Sequence, residues 1–333
     1  RSEHFELGEA SRYHGRGGEL NVTNCRTEYE QSEAYIRAAE VAGIPRTHDF
    51  NGAEQEGVGY FQLNQKAGKR WSSAAAFLGK DVCKRKNLVI ATGAVAAKIL
   101  FHKTRAIGGQ YLDKHGQLQE AAAMQEVLLA AGALNSPALL EMSGIGQRDI
   151  IEAQGIELRH ELAGVGENLQ DHYHVPVQHG VSKGITISDD GQFPRVVWNV
   201  FKYLFTKRGL LAFPAANIGA FYKVAGESRP SVQIHFTPGA GGMDEKGEMV
   251  PSPLPGVNST TCVLRPESRG YVHIRSSDPK APPRIQYNYL STENDRRRTV
   301  DGVKKQREIY AAKPFQDIAS QELKPGVHVQ SDE

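Results

Sequence analysis

The sequence predicts a mixed α/β (α+β) chain, one part built around a buried strand and a helix, the other on a mostly antiparallel sheet. Three observations carry this. Residues 126–146, EVLLAAGALNSPALLEMSGIG, join a continuous apolar run to a small-residue turn and then to a helix, the pattern of a strand buried on both faces. Apolar runs at 98–101 and 106–112, with a polar turn at 114–116, lead into it as a small antiparallel meander. After Gly166-Glu167-Asn168-Leu169-Gln170-Asp171 the texture changes to short strand-like segments joined by polar or Gly/Pro-rich links.

Each element has a local reason. Thr27 followed by Glu30 has capping-box form, and Ala34, Tyr35, Ala38, Ala39 and Ala42 recur at helical spacing before Gly43 and Pro45; a helix over 28–42 follows. Residues 52–68, rich in Gly, Gln and Asn, read as irregular backbone. Residues 70–79 read as helix and 87–91 as a short buried strand. In the central segment, 127–131 reads as strand, with Gly132 and Ala133 small enough for a ligand to approach the backbone. Asn135 or Ser136 then caps a helix with Pro137 in its first turn, and Gly144 ends it in the left-handed conformation. Such a corner presents backbone N–H groups to a phosphate. Further on, 175–181, 219–224, 232–236, 261–264 and 271–275 read as strands, 238–258 as a long link, and 295–312 as a helix.

Composition excludes some functions. A net charge of +2 over 333 residues gives no sign of a nucleic-acid binder. Arg296-Arg297-Arg298 reads as a solvated helix face. No apolar segment approaches membrane-spanning length, which leaves only a peripheral membrane contact open. Cys25, Cys83 and Cys262 are an odd number and far apart, which fits thiols in a reducing, cytoplasmic compartment.

The run Gly132 to Gly146 resembles, position for position, a signature of the glucose–methanol–choline flavoprotein oxidoreductases. The likeness extends through Tyr13-His14-Gly15, Gly68-Lys69-Arg70, Asn87-Leu88, Gly164 to His172, Ser268-Arg269-Gly270, Asp278-Pro279, Tyr287 to Leu290 and Ser331-Asp332-Glu333, and is greatest to the choline dehydrogenase-like branch. It implies an FAD-binding Rossmann-like domain interleaved with a substrate domain on a mostly antiparallel sheet. Residues 1–171 would be part of the FAD domain, 172–290 the substrate domain, and 291–333 the start of a segment returning to the FAD domain. It also implies oxidation of a primary alcohol, choline or similar, with hydride passing to flavin N5 and electrons then to a quinone-type acceptor or oxygen. A non-redox lyase and an inactive remnant are the alternatives.

By the same resemblance Ala96, Ala131 and Gly132 are the cofactor-binding candidates, facing the dinucleotide of FAD. No GxGxxG is found, since Gly15-Arg16-Gly17-Gly18 has the wrong spacing, and the family's catalytic histidine falls beyond the last residue. The chain therefore reads as an internal fragment with no catalytic residue of its own, expected neither to hold FAD tightly nor to turn over substrate alone. His172 and His174 would share one face of a strand, but no further His, Cys or carboxylate completes a site in the sequence, and no metal is expected. Asp171 reads as a structural acceptor for backbone donors, and His235 as a core or cavity histidine.

Overall fold

The computed structural model describes residues 2–243 and 245–332; Arg1, Asp244 and Glu333, the last residue of the final matched string, lie outside the described residues. The chain forms two compact units, Arg1–Arg85 with His172–Arg265 and Arg296–Glu333, and Lys86–Asp171 with Pro266–Asp295. Residues 1–85 cluster with 172–265. The reason is a strand pairing: Gly57–Tyr60 hydrogen-bonds antiparallel to Ile218–Tyr222.

The first unit is a six-stranded, wholly antiparallel sheet in the order 319–324, 175–181, 256–263, 232–237, 218–222, 57–60. Alternation along Val232–Thr237 buries Val232, Ile234 and Phe236 on one face, as a half-covered antiparallel strand requires. Helix Glu30–Val41 supplies Tyr35, stacked on Phe236 at 4.2 Å, and Tyr310 and Phe315 close the cluster. Gly302, within helix Glu293–Ala311, passes so close to the sheet that a Cβ would stand 2.3 Å from Thr261 Oγ1.

Several local expectations shift. Thr27 does not cap the first helix, whose N-cap Tyr29 makes no side-chain bond; its hydroxyl instead accepts from Gly209 N–H at 2.8 Å and donates to Gly209 O at 3.2 Å. The stretch 52–68 is not simply irregular but holds Gly57–Tyr60 and two shorter strands. Its glycines allow the strand to pass another backbone, since a Cβ on Gly59 would lie 2.1 Å from Thr47 O. The helix expected over 70–79 shortens to Ser73–Phe77, capped by the Ser72 hydroxyl, which accepts from Ala75 N–H. The long link 238–258 contains a hairpin of Gly241–Met243 with Met249–Pro251, and the next strand starts at Gly256.

The second unit carries the meander as three antiparallel strands, Val95–His102, Arg105–Leu112 and Leu118–Ala122, with helix Gly132–Met142 and a hairpin of Tyr271–His273 with Arg284–Gln286. Neither 87–91 nor 127–131 forms a strand, and Val89 and Leu128 are 90% and 81% exposed. A strand of the buried parallel type exists only against neighbours that take its backbone hydrogen bonds. Among the described residues nothing pairs with either run.

Candidate functional site

The helix Gly132–Met142 is held from its far end. The Ser143 hydroxyl accepts from Ile99 N–H at 2.8 Å and donates to Leu139 O at 2.6 Å, tying the helix to the first meander strand. Glu141, fully buried, accepts from Ile274 N–H at 2.8 Å and lies 2.6 Å from His273 Nδ1. His273 Nε2 lies 3.1 Å from Glu167, which also accepts from Gln147 Nε2 at 2.7 Å. Burial pushes the Glu141 carboxyl above its ordinary range, against the opposing bonds from Ile274 and His273. Gly166 makes this junction possible, since a Cβ there would stand 2.3 Å from Val272 O. The sequence reading passed over Glu141 and His273. The available signal was a carboxylate inside the apolar string Leu139-Leu140-Glu141-Met142.

The helix begins at Gly132, earlier than expected, so Asn135 and Ser136 lie within it rather than at its cap, and Pro137 is internal. Ala131 is the N-cap and makes no side-chain bond, so the cap residue itself supplies no acceptor to the first-turn N–H donors. Gly132 takes φ +82°, and a Cβ on it would meet no atom within 4 Å. Tight strand–helix packing is therefore not why the position is glycine; its backbone conformation is. Gly144 does end the helix at φ +82°.

Beside this corner lies a cavity of about 310 Å³ whose walls include Ala94, Ala96, Ala131, Asn135, Asp278 and Pro283. Two of the three cofactor candidates, Ala96 and Ala131, thus face the same space; Gly132 is not among the lining residues. Ala96 sits at a register shift between Ala96 and Lys98, a local irregularity of the kind that re-aims a strand. On the opposite flank of the helix a more open cavity of about 620 Å³ includes Ala133, Ser136 and Asn168.

The other unit offers a second surface, the sheet face away from its core. Val175 pairs with Thr261 and His235 with Thr260, so His174, His235 and Cys262 point to one side by strand alternation. His174 is therefore joined by His235 and Cys262, not by His172, whose Nε2 lies 3.1 Å from Leu264 O. The expectation that nothing completes a three-residue group is corrected here. The three ligand atoms lie within 4.8 Å of one another, against roughly 3.5 Å between ligands of a tetrahedral zinc. Burial, then the neighbouring His174 and His172, push His235 down to about 4, so it is neutral at neutral pH. Phe61 packs 5.5 Å from its ring in space that Gly219 leaves open, where a Cβ would lie 2.3 Å from the Phe61 ring.

Asp171 accepts from the Tyr289 hydroxyl at 2.5 Å, and Tyr289 stacks on Tyr287 at 4.8 Å. None of the three cysteines is in a disulfide. Among the described residues no helix is long and apolar enough to cross a membrane.

A turn leading into a helix beside a three-stranded meander, carried on one chain with a six-stranded antiparallel sheet, makes this a mixed α/β protein. The chain belongs to the GMC oxidoreductase family, whose N-terminal model matches residues 3–174 and whose C-terminal model matches residues 266–333. It is 37% identical over 334 residues to an alcohol dehydrogenase [acceptor] of Pseudomonas putida, covering 99% of this chain and 60% of that protein. It is 37% identical to the mitochondrial choline dehydrogenase of Homo sapiens, covering 100% of this chain and 55% of that one. Among solved structures, pyridoxine 4-oxidase from Mesorbium loti superposes with a TM-score of 0.84 at 26% identity, over 99% of this chain and 60% of that one. The chain spans 55–60% of the length of these relatives.

Proposed function

We propose that this chain is the greater part of an FAD-dependent enzyme that oxidises a primary alcohol, choline or a similar small alcohol, to the aldehyde. The observation that carries the reading is that Ala96 and Ala131, both implied to face FAD, line one cavity beside a helix N-terminus free of any side-chain cap. Small side chains at 94, 96 and 131 keep that space open, with room for a nucleobase and ribose rather than a whole dinucleotide. Bound flavin would supply the hydride acceptor.

Of the chain's own residues, Ala96 and Ala131 would bound the nucleotide, and the backbone at Gly132 would offer N–H donors to its phosphates. The Glu141–His273–Glu167 group would keep that corner in place. Phe61 and neutral His235 would give the alcohol an apolar face and an uncharged imidazole. No catalytic base is assigned to this chain. The names of the relatives, one "[acceptor]" and others "oxygen-dependent", favour a quinone-type acceptor or oxygen as the electron sink.

The test is anaerobic addition of choline or another primary alcohol to flavin-loaded protein containing this chain. Bleaching of the flavin band is expected. A flavin that stays oxidised during turnover would show non-redox chemistry instead, and would sink the reading. Ala131→Trp should lower flavin occupancy at least about tenfold by filling the cavity; unchanged occupancy would remove Ala131 from the site.

A further inference from the structure

Three segments of the antiparallel sheet bring two histidines and a thiol to one spot. His174 directly precedes strand Val175–Val181, His235 lies in Val232–Thr237 and Cys262 in Gly256–Val263. Strand Gly256–Val263 runs between the other two. Its register sets Thr261 beside Val175 and Thr260 beside His235. Cys262 therefore falls beside the position of His174 and diagonal to His235, all three on the face away from the core. The two imidazoles stand 5.4 Å apart, centroid to centroid, and the three donor atoms lie within 4.8 Å of one another.

The group is graded from interior to solvent. Cys262 is 1% exposed, His235 half-buried and His174 exposed. Nδ1 of His235 is shut off from solvent and has no hydrogen-bond partner, a costly state for a ring nitrogen unless something meets it. A neutral imidazole keeps one lone pair for a metal. His172 comes near as well, but its Nε2 is engaged at 3.1 Å with Leu264 O. Three protein donors with a fourth position open to water on the His174 side match a zinc ion with one exchangeable ligand. Thiolate and imidazole together select a borderline-soft ion such as zinc, whereas magnesium and calcium take oxygen donors. Donors around tetrahedral zinc lie roughly 3.5 Å apart. His174, exposed and outside the strand, has the freedom to close the difference.

We propose that His174, His235 and Cys262 form a zinc site on the outer face of the sheet, with water as the fourth ligand. On binding, the S–H bond of Cys262 breaks and its proton passes to solvent. The thiolate and two neutral imidazoles then donate to the ion, and nothing is oxidised or reduced. The site requires neither flavin nor turnover, so it stands or falls separately from the enzymatic reading.

The test is titration of the 333-residue chain with cobalt(II), a coloured substitute for zinc, in a Cys83→Ser background that removes the exposed thiol. A thiolate-to-cobalt charge-transfer band and strong tetrahedral d–d bands are expected, saturating at one ion per chain and lost when zinc is added in equal amount. Zinc binding at neutral pH should release the thiol proton. Cys262→Ser should remove the charge-transfer band, while Cys25→Ser leaves it. Loss of even an outer-shell partner costs roughly 10- to 100-fold in metal affinity. His174→Gln, at an exposed position outside any strand and checked by circular dichroism, should therefore weaken zinc at least about tenfold, and so should His235→Gln. Should Cys262→Ser fail to fold, His174→Gln decides. Absence of the bands, a charge-transfer band that survives Cys262→Ser, or zinc affinity unmoved by His174→Gln would overturn the proposal. Weakly coloured cobalt without charge transfer would show chance binding by exposed histidines and overturn it equally.

Discussion

Glu141 shows how one side chain decides the shape of a corner. Its carboxylate is enclosed and satisfied by Ile274 N–H and His273 Nδ1, so removing it takes the partner from both. Glu141→Ala should destabilise the second unit by about 3 kcal/mol, measured by chemical denaturation; a loss below about 1 kcal/mol would mean that water replaces the carboxylate without cost. His14 gives a residue-scale test in pH. Its Nε2 lies 2.8 Å from Asp49 and its Nδ1 3.3 Å from Glu3, and it stacks on Phe5 at 4.0 Å. The Asp49 bond above all holds its pKa above the ordinary value. A group raised on folding stabilises fully below its unfolded pKa, about 6.5, and that stabilisation fades as pH rises through the folded value. The melting temperature should therefore fall as pH rises above about 6.5, and His14→Gln should flatten that slope. The same slope in the variant would clear His14 of any part in it.

At the scale of elements, two contacts matter more than propensity. Gly302 sits inside a 19-residue helix where alanine would be the better helix former. Yet a Cβ there would lie 2.3 Å from Thr261 Oγ1. Gly302→Ala should cost about 1–3 kcal/mol through overpacking, seen as a lowered denaturation midpoint; a stabilised variant would show that the helix can lift off the sheet freely. Ser143 joins a helix end to the meander, and Ser143→Ala should cost about 1–2 kcal/mol by leaving Ile99 N–H without its partner. Hydrogen exchange at Ile99 reads this out directly, and unchanged protection there would argue against it.

Across the whole molecule, legibility followed the range of the interactions. The meander, the antiparallel strands and the 30–41 helix could be read because alternation and 3.6-residue spacing are local signals. Ala96 and Ala131 were singled out by resemblance to a family, and only the fold shows them facing one space. Glu141 with His273 and His235 with Cys262 depend on pairings of segments far apart in sequence, and no spacing rule carries that information. The runs 87–91 and 127–131 failed for a different reason. Their composition is that of buried strands, but a strand is a relation between segments, and none of the described segments meets them. Val89→Lys with Leu128→Lys should then reduce binding of a hydrophobic dye and raise solubility of this chain. Unaltered dye binding would place the sticky surface elsewhere.

The corner at Gly132 has one more consequence. Its shape is set by anchors a full helix length away, at Ser143 and Glu141, and by a glycine at φ +82°, a conformation that L side chains rarely adopt. The corner is thus held by contacts of the protein itself. A nucleotide arriving there would pay little ordering entropy, so its capture would be governed by encounter and its residence time by the contacts it makes.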